Sequence, residues 1–403
     1  MISIMMKKKQ KKIYCDVAAS SPILPEAAKA MLTVMKEAWV NPGSIYDLGV
    51  QSKNILEQSR LDIANFLGAH AREIIFTSGG TESNNLAILG VYNYFIKAGC
   101  KSDDLHFITT NIEHSSILAV YEELKSRGCD ISILPVEKDG RLNPKILRAE
   151  IKPNTVLISI AHANSEIGVI QNVEELAKEI RHARKTSFWR ESEDMFGAPY
   201  FHLDASQSVN YLPLDTKSLG VDLITIDGQK VGASRGVGAL YIKNGTPIKP
   251  IMFGGRQEMA LRPGTENVLF AVGLAHALMQ VKKIQNKEVK KLSVVRDYFI
   301  KKIQKVLSQA IINGSQEYRL PNNVNFSLPS TDAEFILLQL AEKGIYCSAK
   351  SACLPSEAGS YVIEAVSDNK ATAKSSLRFT FDSSLSKKEV DYIVKVLKEE
   401  IIK

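Results

Sequence analysis

The sequence predicts an α/β fold, in which a mainly parallel sheet of seven strands lies between helices and a smaller α+β region follows. Short apolar, β-rich runs alternate with segments of helical periodicity along most of the chain, which is typical of a parallel sheet covered on both faces. After about Thr265 the pattern changes to one long helical stretch followed by shorter strands. At 403 residues the chain is long enough for two domains with substantial cores.

The strands are predicted from apolar, β-branched runs, and the helices from apolar residues at helical spacing. The predicted strands of the sheet are 73–77, 105–109, 130–134, 156–161, 200–203, 223–226 and 238–242. Helices are predicted at 82–97, 116–126 and 173–184, and 181–199 has the composition of a surface insertion. Beyond it we expect a helix over 270–310, strands near 324–326 and 377–381, and a final helix after Ser386. This organisation predicts a basic disordered tail (1–13), a large domain (14–265) and a small domain (266–403).

Charge and cysteine usage narrow the possible partners. The net charge is +7, but five lysines near the amino terminus supply most of it, so we expect no nucleic-acid surface. No apolar run approaches the ~20 residues of a membrane helix, and the apolar opening is too short for a signal peptide; we therefore expect a cytoplasmic protein. The five cysteines contain no C-x-x-C pair, which predicts neither a disulfide framework nor a metal site. Each cysteine is then either buried filler or a nucleophile.

Two strand ends carry polar groups suited to an anionic ring cofactor. Gly80 and Thr81 follow the first strand and open an apolar helix; glycines and a helix amino terminus suit a phosphate, although many structural turns also carry glycine. Asp204 ends another strand, where a carboxylate could pair with a protonated pyridine nitrogen. The alternative for Asp204 is a helix N-cap.

A third strand, 223–226, leads to Lys230 in a loop with Gly228. A lysine near its free pKa of ~10.4 is a poor nucleophile at neutral pH, whereas a partly desolvated lysine, or one held as a Schiff base, can do this work. An isolated loop lysine is usually just exposed to solvent, so the interpretation of Lys230 depends on the motifs elsewhere in the sequence.

Nine motifs occur along the chain from about Tyr14 to the C-terminal helix: Tyr14-x-Asp16-x-Ala18-Ala19, Ser78-Gly79-Gly80-Thr81-Glu82-Ser83-Asn84-Asn85-Leu86-Ala87, Glu113-His114, Asn164-x-Glu166-Ile167-Gly168, Asp204-Ala205-Ser206-Gln207-Ser208, Gly228-x-Lys230, Arg262-Pro263-Gly264-Thr265, Ser351-Ala352-Cys353 and Ser376-Leu377-Arg378-Phe379. In these motifs and in their order the sequence resembles the cysteine desulfurases. The resemblance implies a dimeric fold-type-I enzyme that uses pyridoxal 5'-phosphate (PLP) and converts L-cysteine to L-alanine. The sulfur would pass to an acceptor protein, for iron–sulfur clusters or tRNA thiolation.

The resemblance also implies roles for single residues. Lys230 matches the Schiff-base lysine, Asp204 the partner of the pyridine nitrogen, and His114 the histidine that stacks on the ring and handles protons. Gln207 matches a ligand of the ring hydroxyl, Gly80 and Thr81 match phosphate ligands, and Thr265 matches one that reaches the neighbouring subunit's phosphate. Arg378 and Asn41 match substrate-binding positions, Arg378 for the carboxylate. Cys353 matches the sulfur acceptor, and His114 is the candidate acceptor of its thiol proton.

Three cofactor positions depart from the family's usual residues. Asp227 and Gln229 stand where a serine and a histidine usually hold the phosphate, and Ser165 replaces an asparagine near the ring hydroxyl. Outside the cofactor site, Tyr46 stands where a histidine is common, and the chain ends before a tail that helps housekeeping members dock the scaffold protein. The alternatives are a selenocysteine lyase or another class V PLP enzyme, and a catalytically degenerate PLP-fold scaffold protein.

Overall fold

The computed structural model of the protein describes residues 11–191, 197–350 and 359–401. Within these ranges the chain forms twelve strands and twelve α-helices. The strands are β1 (Ile13–Tyr14), β2 (Ile74–Thr77), β3 (His106–Thr110), β4 (Asp130–Leu134), β5 (Thr155–Ala161), β6 (Tyr200–Asp204), β7 (Leu223–Asp227), β8 (Gly238–Ile242), β9 (Ile311–Ile312), β10 (Asn323–Ser327), β11 (Ile345–Tyr346) and β12 (Ser376–Thr380). The helices are α1 (Pro25–Glu37), α2 (Asp47–Leu67), α3 (Gly80–Lys97), α4 (Ser115–Ser126), α5 (Pro144–Glu150), α6 (Val173–Ala183), α7 (Thr216–Leu219), α8 (Val268–Val306), α9 (Ala333–Glu342), α10 (Tyr361–Ser367), α11 (Lys370–Lys374) and α12 (Lys387–Ile401).

Seven strands form one sheet in the order β2-β8-β7-β6-β5-β3-β4. Strand β8 runs antiparallel to both of its neighbours, and the other pairs are parallel. The predicted mainly parallel sheet is therefore confirmed, and each strand lies within one residue of its predicted bounds. The central strand β5 shows why: six of its seven residues are buried, as a strand covered on both faces requires.

A second core lies around a three-stranded antiparallel sheet, β12-β10-β9. Phe326 stacks on Phe379 at 5.9 Å between ring centroids, and Phe299 meets Phe379 edge-on at 5.2 Å. Helix α8 supplies side chains to both cores: Leu274 packs beside the large sheet and Phe299 beside the small one. These aromatic contacts fix the small sheet on α8.

The amino-terminal strand β1 pairs in parallel with β11, so Ile13 and Cys15 are buried with the second core. The sequence analysis did not predict these two-residue strands. Within 181–199, Trp189 packs edge-on against Phe95 at 5.0 Å, so part of this segment contacts the core around α3. No helix in the described part of the chain is long and apolar enough to cross a membrane.

Candidate active site

A cavity of about 280 Å³ lies at the carboxyl edge of the parallel strands, where open α/β sheets bind their ligands. Ten of the residues that the sequence analysis selected line it: Gly80, Thr81, His114, Ser165, Asp204, Gln207, Asp227, Gln229, Lys230 and Arg378. The other lining residues include Asn84, Ser116, Asn164 and Ser206. Side chains separated by about 300 residues in the sequence thus share one cavity.

Three selected residues are not part of this lining. Thr265 lines a separate cavity of about 230 Å³ together with Arg262. Asn41 is exposed on the connection between α1 and α2. Cys353 lies outside the described residues, so the structure says nothing about its surroundings.

Lys230 ends a short 3₁₀ turn, Gly228–Lys230, that directly follows β7. Its Nζ donates a hydrogen bond to the Ala19 carbonyl over 2.6 Å. Its own carbonyl accepts from Asn210 Nδ2 at 2.7 Å and from the Ser21 hydroxyl at 3.0 Å. The turn is therefore held from both sides, and the amine is directed at the cavity's Ala18–Ala19 wall.

Asp204 is the last residue of β6 and is only 8% exposed. Its Oδ1 accepts from the backbone N–H and the hydroxyl of Ser206, at 2.9 and 2.6 Å, and its Oδ2 accepts from Asn84 Nδ2 at 2.9 Å. Asp204 thus accepts the kind of backbone hydrogen bond that an N-cap accepts, from the Ser206 N–H, and it also lines the cavity. Three donors point at one carboxylate, an arrangement suited to its acceptor-only ionised form.

The amino terminus of α3 forms another wall. Gly79 precedes the helix at a φ of 152°, and a Cβ added at Gly80 would lie 3.1 Å from Ser206 Oγ and 3.2 Å from Asp227 Cβ. A side chain at position 80 would thus crowd both neighbours. The first-turn N–H groups of a helix lack intrahelical partners and attract anions, which makes this wall suitable for a phosphate.

Asp227 lies beside that helix end and is 8% exposed. Its Oδ1 accepts from the backbone N–H of Gln229 at 3.2 Å, and its Oδ2 accepts from Gln229 Nε2 at 3.1 Å. Burial raises the pKa of the Asp227 carboxyl above its usual range. Asp227 thus holds the backbone and side-chain amides of Gln229 beside the phosphate wall.

Arg378 lies on β12, is 2% exposed and lines the cavity. Its Nη2 donates to Asp16 Oδ1 over 2.7 Å, and its Nη1 donates to the Ser165 carbonyl over 3.1 Å. Its buried Nε has no hydrogen-bond partner among the described residues. A buried guanidinium with an unused donor is suited to an incoming carboxylate.

His114 precedes α4, where its Nδ1 accepts from the Ser116 backbone N–H over 3.2 Å. The neighbouring Glu113 is fully buried: its Oε1 accepts from the Thr110 hydroxyl and its Oε2 from the Ala161 N–H. Burial raises the pKa of Glu113 to about 8. Glu113 thus ties the end of β3 to the end of β5, behind the histidine.

No role is predicted from the sequence for Asp16, Asn84, Glu113 or Ser116. Three of them lie inside quoted motifs, so their positions were marked, but a motif does not say which way a side chain points. Ser116 carried no signal, because a serine in the first turn of a helix is common.

The comparisons with known proteins agree with this geometry. The family model described as aminotransferase class-V matches residues 13–393. The chain belongs to the class-V aminotransferase family. The cysteine desulfurase IscS of Dictyoglomus turgidum is 39% identical over 395 residues, which cover 98% of this chain and 95% of that protein. The IscS of Methanosarcina thermophila is 37% identical, with 98% and 93% covered. A solved NifS-like protein matches at a TM-score of 0.87 with 28% identity, over 97% of this chain and 99% of that one.

Class-V aminotransferases and cysteine desulfurases depend on PLP, and the donor set of this class-V chain fits that cofactor. The cavity holds an amine for its aldehyde in Lys230, an acceptor for its ring nitrogen in Asp204, and a helix amino terminus for its phosphate at Gly80. The buried carboxyl of Asp227, beside that helix end, disfavours a phosphate dianion, and the two hydrogen bonds that it accepts from Gln229 offset part of its charge.

Proposed function

We propose that the protein is a PLP-dependent cysteine desulfurase. L-cysteine and the Cys353 thiol would give L-alanine and a persulfide on Cys353; the carbon–sulfur bond of the substrate breaks, and a sulfur–sulfur bond forms. The observation that carries the proposal is the cavity itself, which gathers Lys230, Asp204, His114 and Arg378 around a space of about 280 Å³. The two IscS relatives are named cysteine desulfurases, and this chain matches them over nearly their whole length.

The cofactor, when bound, supplies an electrophilic aldehyde and an electron sink for the substrate's α-carbon. Lys230 would hold the cofactor and move the α-proton at its Nζ. Asp204 would pair with the ring nitrogen, and His114 would stack on the ring. Gln207 and Ser165 would contact the ring hydroxyl.

The phosphate would bind at Gly80, Thr81 and Gln229, beside Asp227. Thr265 would reach the phosphate bound to a second copy of the chain, since it lies outside its own subunit's cavity lining.

The substrate carboxylate would bind at Arg378, where Nε is buried without a partner among the described residues. A carboxylate that accepts from Nε–H and from the Nη2–H on the same side of the guanidinium would make the paired, planar contact that arginine favours. Asn41 is assigned as a further substrate contact from the resemblance alone.

A homodimer is supported by exposed apolar side chains on two connected segments. Trp39, Ile45 and Phe253 are 78%, 96% and 88% exposed, an exposure that is costly in water unless a partner covers it. The buried ion pair of Arg60 with Glu258 ties α2, which follows Ile45, to the turn that follows Phe253. Replacing Ile45 with Lys should shift the protein toward monomer in light scattering; an unchanged dimer would remove this face as the interface.

We also propose that Cys353 passes its sulfur to an acceptor protein, for iron–sulfur clusters or tRNA thiolation, in the cytoplasm. Among the described residues, Cys15, Cys129 and Cys347 form no disulfide, as a reducing compartment favours.

Absorbance and product analysis test the proposed function. Purified protein given PLP should show a visible band from the lysine-bound cofactor, and L-cysteine should then yield L-alanine. Lys230→Ala should lose both signals, whereas Lys217→Ala, on the exposed surface of α7, should keep both. A wild-type protein that stays colourless with added PLP would instead favour the alternative of a catalytically degenerate PLP-fold scaffold protein.

A further inference from the structure

A chain of three hydrogen bonds joins Asp204 to His114. Asn84 Nδ2 lies 2.9 Å from Asp204 Oδ2 and 2.9 Å from Ser116 Oγ. Ser116 Oγ lies 2.8 Å from His114 Nδ1. Asn84 and Ser116 are 1% and 8% exposed, so water competes little with these contacts and each proton must have a defined place.

The carboxylate of Asp204 sets the direction of every bond in this chain. An ionised carboxylate only accepts, so Asn84 must present its NH₂ group to Asp204. The same NH₂ group faces Ser116, so the Ser116 oxygen accepts from Asn84. The hydroxyl proton of Ser116 is then free to point at His114 Nδ1, which accepts it when the ring carries its own proton on Nε2.

The backbone N–H of Ser116 independently requires His114 Nδ1 to be an acceptor. The Ser116 N–H, which can only donate, lies 3.2 Å from His114 Nδ1. Two donors therefore converge on one ring nitrogen, and that nitrogen carries no proton. A neutral imidazole has one N–H, so its proton must lie on Nε2.

We infer that Asn84 and Ser116 are positioning residues that hold neutral His114 in the tautomer protonated at Nε2. The catalytic meaning of this state rests on the proposed function. With Nδ1 occupied by Ser116 and Nε2 protonated, the ring has no free lone pair for the Cys353 thiol proton. His114 then presents its Nε2–H as a hydrogen-bond donor to the reacting groups, contrary to the role of thiol base expected from the sequence.

Nitrogen NMR on the cofactor-free protein tests the tautomer without any turnover. The protein is labelled with ¹⁵N at its seven histidines, His114→Gln assigns the signals, and spectra are taken at about pH 8, where an unperturbed histidine is neutral. Wild type should show His114 protonated at Nε2 and unprotonated at Nδ1. Ser116→Ala and Asn84→Leu keep the 3.2 Å backbone bond to Nδ1 but break the side-chain link to Asp204, so both should move the two signals part of the way toward the averaged positions of a ring that exchanges tautomers. Ser116→Thr, which keeps the hydroxyl, and Ser115→Ala, on the same turn, should match wild type.

Turnover of the PLP-loaded protein gives the second readout. Ser116→Ala should lower kcat for alanine formation about tenfold with little change in KM, as expected for one lost orienting hydrogen bond, and Ser116→Thr should restore kcat. A His114 ring protonated at Nδ1 in wild type, or tautomer signals that Ser116→Ala leaves unchanged, would overturn the inference. Absence of alanine formation with the Nε2–H signals intact would instead reject the proposed function and keep the assigned tautomer.

Discussion

Arg378 and Asp16 form an ion pair over 2.7 Å between β12 and the segment after β1. They are separated by 362 positions in the sequence, and the guanidinium is 2% exposed. Burial raises the pKa of the Asp16 carboxyl, although the charge of Arg378 opposes that rise. Asp16 thus fixes the plane of a guanidinium whose Nε is still unused among the described residues.

Arg378→Ala should raise the KM for L-cysteine more than it lowers kcat. One charge-assisted hydrogen-bond site is worth about 1.5–3 kcal/mol, which corresponds to an increase in KM of about 10- to 150-fold. Steady-state kinetics on the PLP-loaded protein measure this effect. Arg378→Lys keeps the charge but loses the planar fork, so its KM should lie between wild type and Arg378→Ala. An unchanged KM in Arg378→Ala would show that the carboxylate binds elsewhere.

Asp227→Ser should strengthen PLP binding. The carboxyl lies beside the α3 amino terminus, where we place the phosphate, and two like charges ~4 Å apart repel by roughly 4 kcal/mol at an effective dielectric of 20. Because the two Gln229 N–H groups already offset part of that charge, we expect a gain of about tenfold in affinity. Titration of the cofactor-free protein with PLP, followed at the visible band, measures it. Asp227→Asn separates charge from shape: it should recover most of the gain, and equal affinities in all three proteins would contradict the repulsion.

Glu113 should make folding stability depend on pH. Its folded pKa of about 8 lies above the ~4.3 of an unfolded glutamate, so the folded state keeps the proton longer than the unfolded chain does. The resulting stabilisation is complete below about pH 4.3 and is lost as the pH rises to about 8, by up to ~1.4 kcal/mol per pH unit.

Urea unfolding of wild type and Glu113→Gln at about pH 5.5 and 7.5 tests this dependence. The free energy of unfolding of wild type relative to Glu113→Gln should fall by roughly 2–3 kcal/mol between these conditions. Glu122→Gln, on the exposed side of α4, controls for the loss of a surface carboxylate. A difference between wild type and Glu113→Gln that does not change with pH would show that Glu113 is ionised in the folded state.

Phe379→Ala should destabilise the fold without altering the cavity's polar groups. Phe379 is fully buried, stacks on Phe326 and meets Phe299 edge-on. Removal of a buried aromatic ring costs about 3–5 kcal/mol, which a urea or thermal melt detects. A loss below about 1 kcal/mol would mean that the small sheet does not depend on this cluster.

The sequence predicted the large sheet and most of the cavity because both follow from local patterns. Buried strands such as β5 are continuous apolar runs, and parallel strands bring their carboxyl ends to one edge, so Asp204 and the residues after β7 could be placed together. The resemblance added His114 and Arg378, whose segments show no such relationship on their own.

Long-range and directional features could not be predicted in this way. The β1–β11 pair joins two strands more than 300 positions apart. Each strand has only two residues, which are too few to show a periodic pattern. The Asp16–Arg378 pair depends on the β1–β11 pairing, because Asp16 follows β1. The bonds from Asp204 through Asn84 and Ser116 depend on which way an amide and a hydroxyl point, and a sequence does not encode those directions locally.

The central claim is that sulfur from L-cysteine reaches Cys353, and mass spectrometry of the PLP-loaded protein after a single addition of L-cysteine tests it most directly. We predict one added sulfur atom on the peptide that contains Cys353, with about one alanine released per persulfide formed, as the balanced reaction requires. Cys353→Ala should release no alanine beyond background, whereas Cys347→Ala, whose thiol has a pKa raised by burial, should still form the Cys353 persulfide. Full alanine production by Cys353→Ala, or an added sulfur on Cys347 in wild type, would contradict the account.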